Sequence, residues 1–135
     1  MILIVCVDDH NGMMFNHRRQ SQDRVLRADI LELTDGKKLW MNAYSRKQFA
    51  ESDAEKIRVD ETFLDAAGDG EFCFVENADV SGCVERIEEI YLYRWNRDYP
   101  AEVYFPVDLS VWKCVETKEF AGSSHEKITR ERYTR

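Results

Sequence analysis

Proline and glycine are scarce in this chain, two and six residues of 135. With 44% hydrophobic and 33% charged residues, that scarcity argues against long disorder or low-complexity segments. Positive charge is short as well. Lys and Arg total 19 against 26 Asp and Glu, a formal net charge of −7. A general nucleic-acid binder needs clustered Lys and Arg, so nucleic acid is not the expected partner, although a local basic patch stays open. No apolar run approaches the about 20 residues needed to span a bilayer, so no membrane partner is expected. The four cysteines (Cys6, Cys73, Cys83, Cys114) include no C-x-x-C, and the three histidines show no H-x-H or H-x-x-x-H spacing. No metal site is therefore expected. Cys6, Cys73 and Cys114 lie in strand-like apolar runs and read as small buried hydrophobes of a cytoplasmic protein. The length corresponds to one domain, 1–135, large enough to bury a core without staples.

What is present is an alternation of strands and helices. Met1 to Val7 mixes Ile and Val without polar alternation, as in a strand covered on both faces, and stops at Asp8-Asp9. With no basic leader it reads as a strand and not as a signal peptide. Residues 8–20 are polar and read as a loop. Ser21 is the expected N-cap of a helix over 22–33, where Leu26, Ile30 and Leu33 recur at helical spacing, and Thr34-Asp-Gly36 ends it. Lys37 to Asn42 is a short strand. Ser45 with Gln48 has capping-box spacing, which predicts a helix over 46–52. A brief strand at 55–59, a short helix at 60–67 ended by Gly68-Asp-Gly70, and a buried strand at 71–75 follow. Residues 79–87 read as a short helix weakened by Gly82. A strand over 89–95 places Tyr91, Tyr93 and Trp95 on one face. Residues 96–106 form an excursion holding both prolines. Strands over 111–120 and 127–135, joined through Ala121-Gly-Ser-Ser124, make a hairpin. The expected fold class is therefore α/β, with a mostly parallel central sheet, flanking helices and a C-terminal antiparallel hairpin.

Several local patterns occur in the order found in one family. Val5-Cys-Val-Asp-Asp-His-Asn-Gly12, with Asn16 after it, is a strand leading into a polar loop. Leu39-Trp-Met-Asn-Ala-Tyr-Ser45 is a strand–turn–helix segment. Phe63 to Val75 is a helix, a short loop and a central strand. Ile87-Glu-Glu-Ile-Tyr-Leu-Tyr-Arg94 is a further strand, and Tyr104-Phe-Pro106 and Trp112 precede the final hairpin. This series resembles dihydrofolate reductase nearly end to end, with a shortened middle around residues 50–62. The resemblance implies a dihydrofolate-reductase-like fold, with a ligand site at the strand ends between loop 8–20, the start of the first helix, Asn42 and Glu76.

The departures from that family bear on function. Its paired glycines after the central strand, where backbone approaches the cofactor pyrophosphate, are matched by Glu76 and Asn77. The first places a carboxylate where an anion would sit. The aromatic residue that follows is matched by about Ser81. In the family's Met-Gly-Arg-x-Thr segment, Gly and Arg are matched by Asn42 and Ala43, so the phosphate-gripping guanidinium is missing. Ser45 keeps the hydroxyl, which also reads as a helix cap. The Pro-Trp after the active-site loop is replaced by about Arg18-Arg19-Gln20. No cofactor is therefore expected, since Glu76, Asn77 and Ala43 disfavour NADPH. The family's pterin-binding carboxylate is matched by Asp23 or by Asp29. The competing reading of Asp23 is an acid complementing the helix dipole.

The remaining groups are less specific. Asp8, Asp9 and His10 read as surface loop residues. Arg18 and Arg19, with His17, Arg24 and Arg27, form the one dense positive cluster. His125 stands alone beyond the last turn, and no G-x-S-x-G or Cys–His spacing supports a nucleophile. The leading expectation is a protein without NADPH-dependent reductase activity. It would bind a small heterocyclic or nucleotide-like ligand, or a protein partner, at the loop 8–20 face. Candidate ligand residues are Asn16, Arg18, Arg19, Asp23, Asn42, Ser45, Glu76 and Asn77, with Asp23 also the candidate catalytic group. The alternatives are a pteridine or nucleotide reductase with altered cofactor binding, and a small nuclease or RNA-processing factor.

Overall fold

The structure, a computed structural model, describes residues 1–49 and 55–135. Strands β1 (Ile2–Val7), β4 (Leu39–Met41), β5 (Ile57–Val59), β6 (Phe72–Val75), β7 (Glu89–Arg94), β9 (Lys113–Phe120) and β10 (Ile128–Thr134) form a seven-stranded sheet. Their order across it is β5-β4-β6-β1-β7-β10-β9. β1 runs parallel to β6, with Ile2 beside Phe72, and parallel to β7, with Ile2 beside Glu89. Among the described strands of this sheet β10 alone reverses direction, antiparallel both to β7 and to β9, with which it makes the C-terminal hairpin expected from sequence.

Two-residue periodicity divides β1 between two cores. Ile2 and Ile4 point to one side, with Phe72, Phe74, Tyr93 and Trp95. Helix α1 (Arg24–Leu33) covers that side through Leu26 and Ile30, both fully buried. Each such side chain contributes about 2 kcal/mol of apolar burial. Leu3, Val5 and Val7 face the other side, with Val75, Ile90, Leu92, Met13, Met14 and Phe63. Both faces being covered is why the strand lacks polar alternation.

Several boundaries differ from the sequence expectation. The N-cap of α1 is Asp23, not Ser21: its backbone is extended, and its carboxylate accepts from the Val25 and Leu26 amides. Asn42, not Ser45, caps α2 (Ala43–Arg46), with its side chain accepting from Ser45 N. That helix therefore starts three residues early and passes into a 3-10 turn, Lys47–Phe49. The predicted helix residues 50–52 lie outside the described residues. Residues 79–87 do not form a helix beyond a 3-10 turn at Val84–Arg86, because the Asp79 side chain bonds Ser81 N and holds a turn instead. Helix α3 is confined to Phe63–Ala66. Cys73 is buried as expected, whereas Cys114 is exposed, since β9 is an edge strand.

The segment 8–20 is not an irregular loop. It contains β2 (Gly12–Phe15) and β3 (Arg18–Arg19), which join β8 (Val103–Tyr104) from the proline-containing excursion in a second sheet, β3-β2-β8. Asn16 and His17 both have positive φ, 52° and 60°, the two-residue turn that matches strand twist in a tight hairpin. Gly12 is required by close approach. A Cβ there would lie 2.6 Å from Ala101 Cβ and 2.7 Å from Asp8 Oδ2.

Candidate functional site

The β2–β3 hairpin folds back over the C-terminal ends of β1, β4 and β6, the side on which open α/β sheets place ligands. Glu76, the first residue after β6, meets it there. Arg19 donates to Glu76 from Nε at 2.8 Å and from Nη2 at 3.2 Å. Ser45 Oγ donates to the same carboxylate at 2.8 Å and Gln48 Nε2 at 3.1 Å. Tyr44 completes the seat of the guanidinium. Its ring lies 4.4 Å beneath Arg19 Cζ, and its hydroxyl accepts from Arg19 N at 2.7 Å. Glu76 is 8% exposed, so this is a shielded charge pair that ties the hairpin to α2. Beside it Asn42 Nδ2 donates to Asn77 Oδ1 at 2.7 Å.

The space enclosed by this arrangement is nearly filled. Cys6, Met13, Arg19, Ser21, Glu76 and Trp95 surround a gap of about 10 Å³, no more than a water molecule occupies. Open clefts lie on the outer surfaces of the hairpin. One, of about 280 Å³, is lined by Met14, Asn16, His17, Asn77, Glu102 and Val103. The other, of about 240 Å³, is lined by residues that include Phe15, Arg18, Gln20, Tyr99 and Pro100. A larger hollow of about 410 Å³, walled by Phe63 and Arg86 among others, holds none of the sequence-predicted site residues.

Of those residues, Arg19, Asn42, Ser45, Glu76 and Asn77 come together in one network. Asn16 reaches the same region as a wall of the 280 Å³ cleft. Arg18 lines the 240 Å³ cleft. Asp23 is elsewhere, facing the β9–β10 turn, and its acceptors are filled by the protein. Oδ1 takes Val25 N, Leu26 N and Ser123 N. Oδ2 takes Ser124 N at 2.8 Å, with Ser124 Oγ and His125 Nδ1 each at 3.1 Å. Burial pushes this carboxyl up, but the Ser123, Ser124 and Leu26 amides and the His125 side chain outweigh it and hold it well below the ordinary range. No lone pair faces a ligand in the manner of a pterin-binding carboxylate. Asp29, the other candidate, is bound by Tyr93 Oη at 2.6 Å, Arg130 at 2.8 Å and Lys118 at 2.9 Å. Burial again raises the carboxyl, and these three partners more than reverse the effect.

Asp8 is buried, not a surface acid. It accepts from the His10 and Gly12 amides and from Gln20 Nε2, which together outweigh its desolvation. His10 is exposed near Asp98 at 3.6 Å. Among the described residues no group of His, Cys, Asp and Glu has the geometry of a metal site. Sequence reading missed Gln20, Gln48 and Tyr44 as site residues. It also left His125 alone, although that residue lies against Asp23 and stacks on Trp95 with ring centroids 4.6 Å apart. These pairings span up to about a hundred positions, and no local pattern signals them.

No protein-family model and no curated protein matches this sequence. Solved structures do match the fold. One is dihydrofolate reductase from Enterococcus faecalis complexed with NADP(H) and RAB-propyl, with a TM-score of 0.70, 12% identity, and coverage of 99% of this chain and 95% of that one. The chain has a dihydrofolate-reductase-like fold. In this dihydrofolate-reductase-like chain the position after the central strand carries Glu76, and its carboxylate is engaged by Arg19, Ser45 and Gln48. No helix among the described residues is long and apolar enough to cross a membrane.

Proposed function

We propose that this chain is a binding protein on a dihydrofolate-reductase-like scaffold, without NADPH-dependent reductase activity. Its ligand is a small heterocyclic or nucleotide-like molecule held at the β2–β3 face. One observation carries this reading: the Glu76 carboxylate, paired with Arg19, fills the position where a pyrophosphate would need bare backbone amides. The gap behind it, at about 10 Å³, supports the same view, because it admits no nicotinamide or pterin ring. The residues present therefore do not fit NADPH.

The cleft of about 280 Å³ supports a small polar ligand. Asn16, His17, Asn77 and Glu102 offer mixed donors and acceptors over the apolar Met14 and Val103. A second reading draws on the half-exposed Phe15, Val103 and Tyr104 of the small sheet, which suit a protein partner at the same hairpin. The free cysteines fit a cytoplasmic setting.

A thermal-shift panel of NADPH, dihydrofolate, nucleobases and nucleotides tests the proposal. A ligand at a hundred times its dissociation constant adds about 2.7 kcal/mol and raises Tm. A nucleobase or nucleotide is expected to do so, and NADPH is not. His17→Gly relieves the positive-φ strain of the hairpin turn and keeps the fold, yet weakens that ligand by removing the imidazole. Micromolar NADPH binding, or hydride transfer by the purified chain, overturns the proposal.

A further inference from the structure

The Asp23–His125 pair continues to a third group. His125 Nε2 lies 3.1 Å from Ser21 Oγ and 2.9 Å from Tyr99 Oη. We propose that Ser21, His125 and Asp23 form a hydroxyl–imidazole–carboxylate relay that makes Ser21 an acyl-accepting nucleophile toward small carboxylic esters.

The tautomer follows from the surroundings. Asp23 Oδ2 is ionised and fully enclosed, so it receives a hydrogen from Nδ1. The other neighbour of Nδ1, Ser124 Oγ at 3.1 Å, is placed to give its hydrogen to Gln22 O or to Asp23. With the proton on Nδ1, Nε2 presents a lone pair to the two hydroxyls. The ring cannot turn away, because it is stacked on Trp95 and nearly fully buried. An oriented base beside a hydroxyl, steadied by a carboxylate, is the arrangement that activates serine. A purely structural histidine would need the Asp23 bond and the Trp95 stack. It has no need of a second nitrogen aimed at the hydroxyl of a residue that is itself only partly buried.

Ser21 itself lines the inner gap of about 10 Å³, and Arg19 and Gln20 line both that gap and the outer hollow of about 240 Å³. Tyr99, which shares Nε2, also walls the hollow, with Phe15 and Pro100 as its apolar surface, and an ester held there reaches Ser21 once the Gln20 side chain moves aside. That size limits the substrate to small esters. Ser21 Oγ attacks the ester carbonyl carbon while its proton passes to Nε2. Tyr99 Oη is placed to donate to the resulting oxyanion. Collapse breaks the carbon–oxygen bond to the leaving alkoxide, which takes the proton from Nε2 and departs as an alcohol. A water molecule then gives its proton to Nε2 and attacks the acyl-Ser21, which releases the carboxylic acid and restores the hydroxyl. Ser21 and His125 are the catalytic residues, and Asp23 is a positioning residue acting through His125.

The full chain is to be treated with a fluorophosphonate and with p-nitrophenyl acetate, with adducts mapped by peptide mass. One equivalent of phosphonate on Ser21 is expected. Ser21→Ala abolishes it, and His125→Gln slows it on the order of 10²- to 10⁴-fold. Asp23→Asn retains a helix cap and is expected to lower kcat for p-nitrophenyl acetate with little change in KM. Tyr99→Phe, which removes the oxyanion donor, is expected to slow the labelling on the order of 10²-fold without moving it from Ser21. Absence of a Ser21 adduct in the wild type, persistence of the adduct in Ser21→Ala, or unchanged labelling of folded His125→Gln overturns the proposal. If His125→Gln does not fold, the wild type against Ser21→Ala decides alone.

Discussion

Arg19 holds Glu76 through two nitrogens, Nε 2.8 Å from Oε2 and Nη2 3.2 Å from Oε1. The pair spans 57 positions and joins the second hairpin strand to the end of the central sheet. It decides whether the space above the strand ends is open or closed, and here it closes it.

Replacing Glu76 with Gln keeps the shape and removes the charge, which leaves the Arg19 guanidinium without its counter-ion. A loss of about 2 kcal/mol is expected, and the hairpin should feel it first. Amide exchange over residues 12–19 should quicken by about 30-fold, with amides of β1 and β7 changing less. Uniform exchange across the whole chain would contradict this account.

Stability should fall on acidification through Asp29. Its carboxyl lies below the value of about 3.9 typical of an unfolded chain. Between the two values the unfolded state binds more protons than the folded state. The contribution is thus complete above the ordinary carboxylate range and drains away as pH drops below about 4. Asp23 and Asp8 are shifted in the same direction. Urea midpoints between about pH 6 and pH 3 measure the slope. Asp29→Asn should start lower and decline less steeply than the parent.

Gly122 is fixed by its neighbour Asp23. A Cβ at that position would lie 2.4 Å from Asp23 Oδ2 and 2.9 Å from Ile128 Cδ1. Gly122→Ala should cost about 2 kcal/mol by forcing these groups apart. A Cβ at Gly82 would meet nothing within 4 Å, so Gly82→Ala should be neutral or stabilising by up to about 1 kcal/mol. Chemical denaturation of the two variants makes the comparison, and equal effects would refute the packing argument.

The thiols should separate by accessibility. Cys114 is exposed on the edge strand, whereas Cys73 is buried, and desolvation pushes its thiol up to about 12. An aromatic disulfide reagent should find Cys114 quickly and Cys73 only on unfolding. Cys114→Ser should remove the fast phase. A fast phase that survives that substitution must belong to another cysteine.

The strands of the large sheet and the long helix were legible because their signals are local. Ile2 to Val7 is apolar without interruption, and Leu26 and Ile30 sit one turn apart. Cap positions were less legible, because Ser21 and Asp23 both satisfy a capping preference. The choice fell to Asp23, whose carboxylate also receives Ser123 and Ser124 from a distant turn. The β2–β3 hairpin escaped notice for a related reason. Its turn is Asn16-His17, not a glycine-bearing pair, and its partner β8 lies some ninety positions away.

By itself the sequence determined the order of the large-sheet strands and of helix α1, the two-sided burial of β1, and an acid and an amide, Glu76-Asn77, directly after the central strand. These follow from periodicity and residue type, which act over a few positions. Tertiary structure alone decided that Arg19 would neutralise Glu76, that Asp23 would turn inward to His125, and that Ser21 would stand at the far ring nitrogen. Charges and hydrogen bonds act over a few ångströms of space, and only the folded backbone brings Ser21, Asp23 and His125 within that range.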